Sequence, residues 1–496
     1  MYSSLLSHDM RGNMRSEDSD AKALLSPENR ERFGIHYLGL SLILAWYYCL
    51  WFSPSVFSTL PITDDAVTFS WLSTLALTGF AFLTTPFVFT KVHIYKQPVI
   101  MWVASAATCI ATMAFGAFGT ILNNLVFGFI VFPVIFAAGN AIMWVAWGEL
   151  HAIRKSNFSL HKFSLSFGIT MFIAMSVTTL LPHIASNIFV ALLPLLSAML
   201  YRKSNEKFRD KELPTLLPKA TRAKTSRATF FISIAISITC VACYYNIAII
   251  PVDQLLPDGM SYVAGIIGSA VVCLLLSLIQ KLSKKEIATY RLLPWVVVAC
   301  CAALGLYANG DPALYNVSFI ITVTLAGIFE LFLVSYFGAL SNKGHLAPVM
   351  AFAISGAVVR LGFFFGDGWA IVYEHNPFLA EHFSTSTSIF FLCLLAMVLV
   401  PLLRQESVII QLTKAPAASS EIEEVCDAAI EEFSLSKREG EILKYIARGY
   451  TIDNISKKLV ISPYTTQTHV RHIYSKMNVH KRSELLDYIN MHRSDA

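Results

Sequence analysis

Long apolar runs separated by short polar loops occupy the chain from about residue 35 to residue 403. A helix needs about 20 apolar residues to cross the hydrocarbon core of a bilayer, and each run is close to or beyond that length. The pattern therefore predicts twelve transmembrane helices. They are 35–52, 66–89, 98–118, 124–147, 163–181, 184–201, 228–250, 259–280, 292–308, 313–340, 347–366 and 384–403.

Composition agrees with this pattern. Apolar residues make up 55% of the 496 residues and charged residues only 14%, whereas a soluble domain carries about 25% charge. The mean hydropathy is +0.57. A soluble globular protein, a collagen and a disordered chain are excluded. The first 34 residues are polar, without the apolar stretch of a cleaved signal peptide, and we expect a cytoplasmic tail there.

The basic residues of the loops alternate from one side to the other. Loops after the odd-numbered helices contain no Lys or Arg, whereas the loops between them hold 19 basic residues, nine of them in 202–227. Because cytoplasmic loops collect Lys and Arg, both termini are predicted to be cytoplasmic. A miscounted helix would reverse every later loop, so the alternation also favours the number twelve.

The longest basic loop divides the membrane region into six helices plus six. This layout resembles the major facilitator superfamily. Loops 90–97 and 281–291 lack that family's signature of glycine, aspartate and arginine. In the family this signature belongs to the machinery of alternating access, so its absence makes active transport less expected without excluding ligand binding.

Two ionisable residues stand out within the predicted spans, Glu330 in the tenth and Arg360 in the eleventh. A charge near the middle of the bilayer costs several kcal/mol unless it has a partner or faces water. Counted from the loops, the two differ in depth by about five residues, or roughly 7 Å, which an Arg side chain can span. Two interpretations stay open: a ligand-facing or gating pair, and a structural ion pair that joins two helices.

The cysteines suggest no metal or redox centre. Eight of the nine cysteines fall in apolar runs and are interpreted as small core residues. Cys240 and Cys243 form a CxxC pair, but no second pair or histidine completes a tetrahedral site. We therefore predict no cofactor and no metal. Enzymatic activity is not expected either, because the cytoplasmic segments carry no nucleotide loop, nucleophile motif or metal-ligand cluster.

After Leu403 the composition changes to that of a small soluble domain. A flexible linker leads into an acidic amphipathic helix at 421–433, and residues 434–496 then carry eleven basic against six acidic residues, which points to a polyanionic partner. The predicted domains are a tail (1–34), a membrane domain (35–403), a linker with the acidic helix (404–433) and a C-terminal domain (434–496).

Helix signals are sharp in the C-terminal domain. Ser436 and Glu439 form a capping box before an apolar face. Gly449 ends this first helix, and Thr451 opens a second one. Ser462, followed by proline, opens a third helix at 463–476, and a fourth is expected at 481–490. Two short helices joined by a tight turn predict a helix-turn-helix, so the fold class is all-α.

Residues 435–490 resemble the DNA-binding domain of LuxR-type (GerE-like) regulators. The matching positions are Leu435, Ser436, Arg438, Glu439, Glu441, Leu443, Gly449, Ser462, Thr465, His469, Ile473, Lys476, Val479, Arg482 and Leu485. Departures from the family pattern are Gly440 for arginine, Ser456 for alanine, Thr466 for valine and Gln467 for lysine.

That resemblance implies that Gln467, Thr468 and Arg471 contact bases. The chemistry is suitable: Arg bonds guanine bidentately, Gln prefers adenine and Thr can touch a thymine methyl group. Four further residues are predicted to contact phosphates, which fixes position without reading sequence. They are Tyr464, Thr465, His472 and Lys476.

The leading hypothesis is a one-component transcription regulator of the bacterial inner membrane, in which the bundle senses a small molecule and the tethered domain binds double-stranded DNA. An unidentified ligand, the lipid bilayer, a second copy of the chain and RNA polymerase are the expected partners. Helix 481–490 is interpreted either as a dimer contact or as part of the domain core. The alternative is a secondary transporter with an autoregulatory DNA-binding domain, which ion-driven uptake into proteoliposomes would reveal. An inert anchor is a third interpretation, but one span would serve that purpose.

Overall fold

The computed structural model describes residues 37–56, 65–89, 92–117, 126–154, 160–206, 212–214, 216–217, 219–283, 289–404, 420–447 and 450–493. The predicted tail 1–34, most of the linker and Gly449 lie outside these residues. Within them the regular structure is helical and contains no strand, as predicted. The chain divides into two compact units, 1–413 and 414–496.

The membrane unit contains twelve apolar helices among its described residues. Ten are long and apolar enough to cross a membrane, whereas α1 and α9 have only 15 and 16 residues. The count of twelve spans therefore stays a prediction. The helices are α1 Leu38–Phe52, α2 Asp65–Val88, α3 Pro98–Ala117, α4 Phe132–Ile153, α5 Leu160–Leu180, α6 His183–Asn205, α7 Lys219–Ile249, α8 Met260–Leu282, α9 Leu293–Ala308, α10 Pro312–Asn342, α11 Pro348–Glu374 and α12 Pro377–Arg404.

Several helices extend beyond the apolar runs that predicted them. Helix α11 continues to Glu374 and α12 begins at Pro377, so most of the predicted loop 367–383 is helical. Asp367 consequently lies inside α11 and is buried. The expectation of a loop was wrong here because hydropathy falls where a helix carries a charge, although its backbone hydrogen bonds continue.

The two six-helix halves meet mainly through α2 against α11 and α5 against α8. Buried hydrogen bonds join them: the Tyr48 hydroxyl donates to the Ala326 carbonyl over 3.0 Å, and the Trp144 indole donates to the Ser355 hydroxyl over 3.1 Å. Such bonds matter inside a bilayer because no water competes for the polar atoms.

Small residues allow helices to approach closely within this bundle. A Cβ added at Gly366 of α11 would overlap the Val241 carbonyl oxygen and lie 2.9 Å from Tyr244 Cβ, both on α7. A Cβ at Gly368, two residues further on, would meet nothing within 4 Å. Helices α7 and α11 are thus in backbone contact at one face of α11 only, as small residues at membrane helix interfaces permit.

The C-terminal unit has its own hydrophobic core. Its helices are α13 Ser420–Glu432, α14 Lys437–Ala447, α15 Ile452–Leu459, α16 Pro463–Lys476 and α17 Arg482–Arg493. Val425, Cys426 and Ala429 of the acidic helix α13 are buried in that core. The acidic helix, which the sequence assigned to the linker, is therefore part of the C-terminal unit, because its apolar face packs on α14 and α17.

We predict that Gly366→Ala destabilises the membrane unit, whereas Gly368→Ala does not. Overpacking a closely packed core costs about 1–3 kcal/mol, which exceeds the gain of up to about 1 kcal/mol from replacing a helical glycine by alanine. Thermal unfolding of the purified full-length protein should show a lower midpoint for Gly366→Ala only. Equal midpoints for the two variants would contradict the close contact.

Candidate functional site

The candidate DNA-binding element is α16, the second helix of the helix-turn-helix. The Ser462 hydroxyl caps its first turn by accepting a hydrogen bond from Thr465 N over 3.0 Å, and Pro463 occupies the first helical position. This predicted helix start is confirmed. Thr466, Val470 and Ile473 face the core, and their spacing leaves the opposite face of the helix to solvent.

Gln467, Thr468 and Arg471 are all exposed on that face. Tyr464, 80% exposed, lies one turn before them, because residues three and four apart are neighbours on a helix surface. The Thr468 hydroxyl donates to the Tyr464 carbonyl over 3.0 Å. The structure thus leaves the polar groups of Tyr464, Gln467 and Arg471 exposed for a partner. The hydroxyls of Thr468 and Thr465 are hydrogen-bonded to Tyr464 and Ser462, although both side chains are exposed.

Glu439 connects the first helix of the domain to α16. It is 4% exposed, accepts a hydrogen bond from Ser436 N over 2.8 Å and pairs with Lys476 Nζ at 2.8 Å. The predicted capping box is confirmed, since Glu439 N also donates to the Ser436 hydroxyl. Burial acts to raise the pKa of Glu439, but the Lys476 ammonium and the Ser436 amide outweigh it and lower the pKa to about 2.

Lys476 is consequently less available to a phosphate than the sequence suggested. Its ammonium contacts the Glu439 carboxylate and also donates to the Ser434 carbonyl over 3.2 Å. His472, 60% exposed, lies with Nδ1 3.6 Å from the same carboxylate. The sequence did not anticipate this cluster, because Glu439 and α16 are more than 20 residues apart in the chain.

Glu439, His469 and His472 offer ligand atoms that all lie within 4.8 Å of one another. Imidazole nitrogens and a carboxylate oxygen are ligands that Zn²⁺ accepts. This group was not identified from the sequence, because only folding brings Glu439 to α16. The expectation that the chain holds no metal stays a prediction. The Lys476 ammonium already neutralises the carboxylate, which disfavours a second cation there.

The acidic helix α13 explains one departure from the LuxR pattern. A Cβ on Gly440 would lie 2.7 Å from Ile430 Cδ1 of α13, so a larger residue at this position would require the Ile430 side chain to move. With α13 included, twelve acidic residues balance eleven basic ones over 420–496. The positive charge that pointed to a polyanion is therefore confined to the part of the unit that contains α16.

Helix α17 contributes to the core of the unit. Leu485 and Ile489 are buried, and Arg482 donates to the Tyr450 carbonyl over 3.0 Å. These side chains therefore support the interpretation that the helix packs on its own domain. The other interpretation, a dimer contact, stays a prediction.

A second candidate site lies in the membrane unit. Arg360 of α11 forms a buried ion pair with Glu330 of α10, and its guanidinium carbon lies 4.4 Å from the centroid of the Tyr47 ring of α1. Glu330 Oε2 and Arg360 Nε have no hydrogen-bond partner among the described residues. The structure thus brings together the two charges that the sequence singled out and adds an aromatic ring from the other half of the bundle.

Sequence reasoning missed Asp367, which is 7% exposed within α11. The Trp71 indole of α2 is hydrogen-bonded to its carboxylate. A signal was present, since Asp367 follows Arg360 by only seven residues in a segment without proline. Helical continuity from Arg360 would have placed it about 10 Å further along the same helix.

The two units define a multi-pass membrane protein with a helix-turn-helix DNA-binding domain. Residues 433–489 match the family "Bacterial regulatory proteins, luxR family", and this segment is a LuxR-type domain. Oxygen regulatory protein NreC of Staphylococcus epidermidis is 41% identical over 69 residues, which are 14% of this chain and 32% of that protein. NreC of Staphylococcus carnosus is 46% identical over 54 residues, 11% of this chain and 25% of that protein. The chain thus spans only about a third or less of these relatives.

Two solved transporter structures are similar to the described helices. The nucleoside transporter NupG covers 74% of this chain and 98% of its own, at 13% identity and a TM-score of 0.42. The Escherichia coli fucose:proton symporter FucP covers 75% of this chain and 96% of its own, at 12% identity and a TM-score of 0.44. A similarity of this degree carries no information on what the bundle binds.

We predict that Glu439→Gln lowers the free energy of unfolding of a fragment 414–496 by about 1–3 kcal/mol at pH 7, since a buried charge-assisted contact is lost. Glu441→Gln is the control: its pair with Arg438 is 40% exposed on the glutamate side, and such pairs contribute under about 1 kcal/mol. Urea unfolding followed by circular dichroism measures both. An equal effect of the two substitutions would contradict the role of Glu439.

The difference in free energy of unfolding between the wild type and Glu439→Gln should also depend on pH. The pKa of Glu439 is about 2 in the folded unit and 4.5 ordinarily. A depressed folded-state pKa contributes stability above the ordinary value, and this stability is lost as the pH falls through the folded-state value. The two proteins should therefore differ at pH 7 and converge between about pH 4.5 and pH 2. A constant difference over this range would contradict the assignment.

Proposed function

We propose that the chain is a one-component transcription regulator of the cytoplasmic membrane, in which a ligand sensed by the membrane unit controls DNA binding by the C-terminal unit. One observation carries the proposal: a LuxR-type domain with an exposed, polar second helix occurs in the same chain as ten membrane-length helices. Basic loops on one side favour cytoplasmic termini, which would give the domain access to DNA.

The exposed face of α16 supports sequence-specific binding in the major groove. Arg471 can donate to guanine O6 and N7, while Gln467 can bond adenine and Thr468 can contact a thymine methyl group. Tyr464 and His472 flank this face and can reach phosphates. Symmetric operators are read by two copies of such a domain, so a homodimer on DNA is part of the proposal.

The Glu330–Arg360 pair is proposed as the part of the bundle whose contacts change between two states. It joins α10 to α11, and Tyr47 links it to the first half. Its unpartnered atoms, Glu330 Oε2 and Arg360 Nε, leave hydrogen-bonding capacity for a ligand. A ligand shifts such an equilibrium only through different affinities for the two states, at about 1.4 kcal/mol for each tenfold change.

We predict that Arg471→Ala removes the discrete sites at which the full-length protein crosslinks to DNA in its native cell. Loss of a bidentate guanine contact costs about 1–3 kcal/mol, or roughly 5- to 150-fold in affinity. Lys481→Ala, a substitution at an exposed basic residue outside α16, should leave the sites in place. Genome-wide crosslinking measures both. Sites that survive Arg471→Ala, or no sites in the wild type, would contradict the proposal.

Substitution of both Glu330 and Arg360 should distinguish a role of this ion pair in regulation from a purely structural role. Glu330→Gln alone leaves a buried guanidinium without its partner and should destabilise the protein by about 3–5 kcal/mol. The double variant Glu330→Leu with Arg360→Met should regain stability, because an apolar pair of similar volume is tolerated. We expect it to bind DNA without responding to growth conditions, measured as promoter occupancy. A double variant with normal regulation would make the pair a structural lock only.

A further inference from the structure

The acidic end of the bundle, where the loops lack Lys and Arg, contains a buried carboxylate without a cationic partner. Arg360 is paired with Glu330 and lies about 10 Å from Asp367 along α11. Asp367 Oδ2 has no hydrogen-bond partner among the described residues. The other charged group that acts on Asp367 is Glu374, which has the same sign. The Trp71 indole is hydrogen-bonded to this carboxyl, and a cation beside its free oxygen would supply the counter-charge that makes burial of the ionised form less costly.

Aromatic side chains from both halves pack around Trp71, whose indole is hydrogen-bonded to this carboxylate. We call them the aromatic cluster, and they are Tyr47, Trp51, Phe52, Trp71, Tyr244 and Tyr262. The Trp71 and Tyr244 rings stack with centroids 6.0 Å apart and planes 25° apart. Tyr244 Oη and Trp51 Nε1 are buried without a partner among the described residues. Ring faces attract cations, most strongly when water is excluded.

The surface at the same end of the bundle has one sign of charge. Five carboxylates are exposed there, and the loops of that side contain no Lys or Arg. Such a field raises the local concentration of cations and repels anions. The exposed carboxylates are Asp253, Asp258, Asp311, Glu374 and Glu381.

We propose that Asp367 and the aromatic cluster form a binding site for a small organic cation, an ammonium compound with an aromatic or alkyl group. The ammonium would pair with the Asp367 carboxylate and lie against the Trp71 and Tyr244 rings. Tyr244 Oη and Trp51 Nε1 would bond polar substituents. An inorganic ion fits less well, because hard cations require several oxygen ligands and the cluster offers mostly ring faces. This inference rests on the proposed sensing function and names its ligand class.

The location of the rings suggests how occupancy would reach the rest of the bundle. Trp71 belongs to α2 in the first half and Tyr244 to α7 in the second. A cation inserted between them must separate the two rings, and α7 is in backbone contact with α11 through Gly366. Binding would therefore favour a different packing of the halves, as a ligand that prefers one of two states does.

The experiment uses the purified full-length protein in lipid nanodiscs and three probes of one shape: phenethylammonium, 2-phenylethanol and phenylacetate. Tryptophan fluorescence and the thermal midpoint report binding. We expect saturable binding of the ammonium, binding of the alcohol at least tenfold weaker and no binding of the carboxylate. Asp367→Asn should abolish the preference for the ammonium. Glu206→Gln, a charge-removing substitution at an exposed residue of the basic end, should preserve it.

A second measurement needs no ligand. In alkaline buffer, removal of the buried carboxylate charge should raise the thermal midpoint of Asp367→Asn above that of the wild type, whereas a structural carboxyl would give a lower midpoint. Equal binding of all three probes, no binding of the ammonium, or an unchanged preference in Asp367→Asn would overturn the inference. Selective binding without any change in promoter occupancy would leave this site in place and contradict the proposed coupling to DNA. If promoter occupancy responds to another growth condition while the ammonium does not bind, the proposed regulator function stands and the cation site is contradicted.

Discussion

Polar groups inside a bilayer must find their partners within the protein, because water is absent there. The membrane unit meets this constraint in part, with bonds that run between its halves: Tyr48 donates to the Ala326 carbonyl, and Trp144 donates to Ser355. Glu330 Oε2, Arg360 Nε and Asp367 Oδ2 have no hydrogen-bond partner among the described residues. The Glu330–Arg360 pair, with the Tyr47 ring over its guanidinium, extends the same network. Any rearrangement of the halves has to exchange these bonds for others, so the polar interior holds the bundle in a small number of discrete arrangements.

The C-terminal unit depends on a comparable buried contact between helices. Glu439 caps α14 and holds Lys476 at the end of α16, so a single carboxylate fixes the helix that is proposed to read DNA against the rest of the domain. The acidic helix α13 adds a further layer that Gly440 makes room for. The domain thus combines the LuxR-type helix-turn-helix with a further packed helix outside the matched segment. Of its departures from the family pattern, Gly440 contacts that helix, Gln467 is on the exposed face of α16, and Ser456 and Thr466 are buried.

Exposed and buried charged residues have different roles in this chain. Exposed charges on the loops alternate in sign and favour one orientation in the membrane. Buried charges are few, and each is either paired, as Glu330 and Arg360 are, or left without a counter-charge, as Asp367 is. A protein that only needed an anchor would gain stability by replacing these three residues with apolar ones. The free-energy cost of burying Glu330, Arg360 and Asp367 is the reason for assigning these residues a role in ligand sensing.

Much of the architecture followed from one-dimensional patterns. Apolar runs located the helices and capping residues located the starts of α14, α15 and α16, because helix formation depends on local hydrogen bonds and on side chains three or four positions apart. The family resemblance pointed to Gln467, Thr468 and Arg471, and all three are exposed because the helical spacing of α16 places them opposite its buried face. Glu330 and Arg360 were found because charge is rare in apolar segments.

Only the tertiary structure decided which distant residues meet. Asp367 was predicted to lie in a loop and lies instead in a helix beside Trp71, because packing against α7 and α2 keeps a charged segment helical. The acidic helix joined the DNA-binding unit, and Lys476 turned toward Glu439, through contacts between residues far apart in the chain. Local propensity determines helices one at a time, whereas burial and pairing depend on neighbours that the chain brings together only on folding.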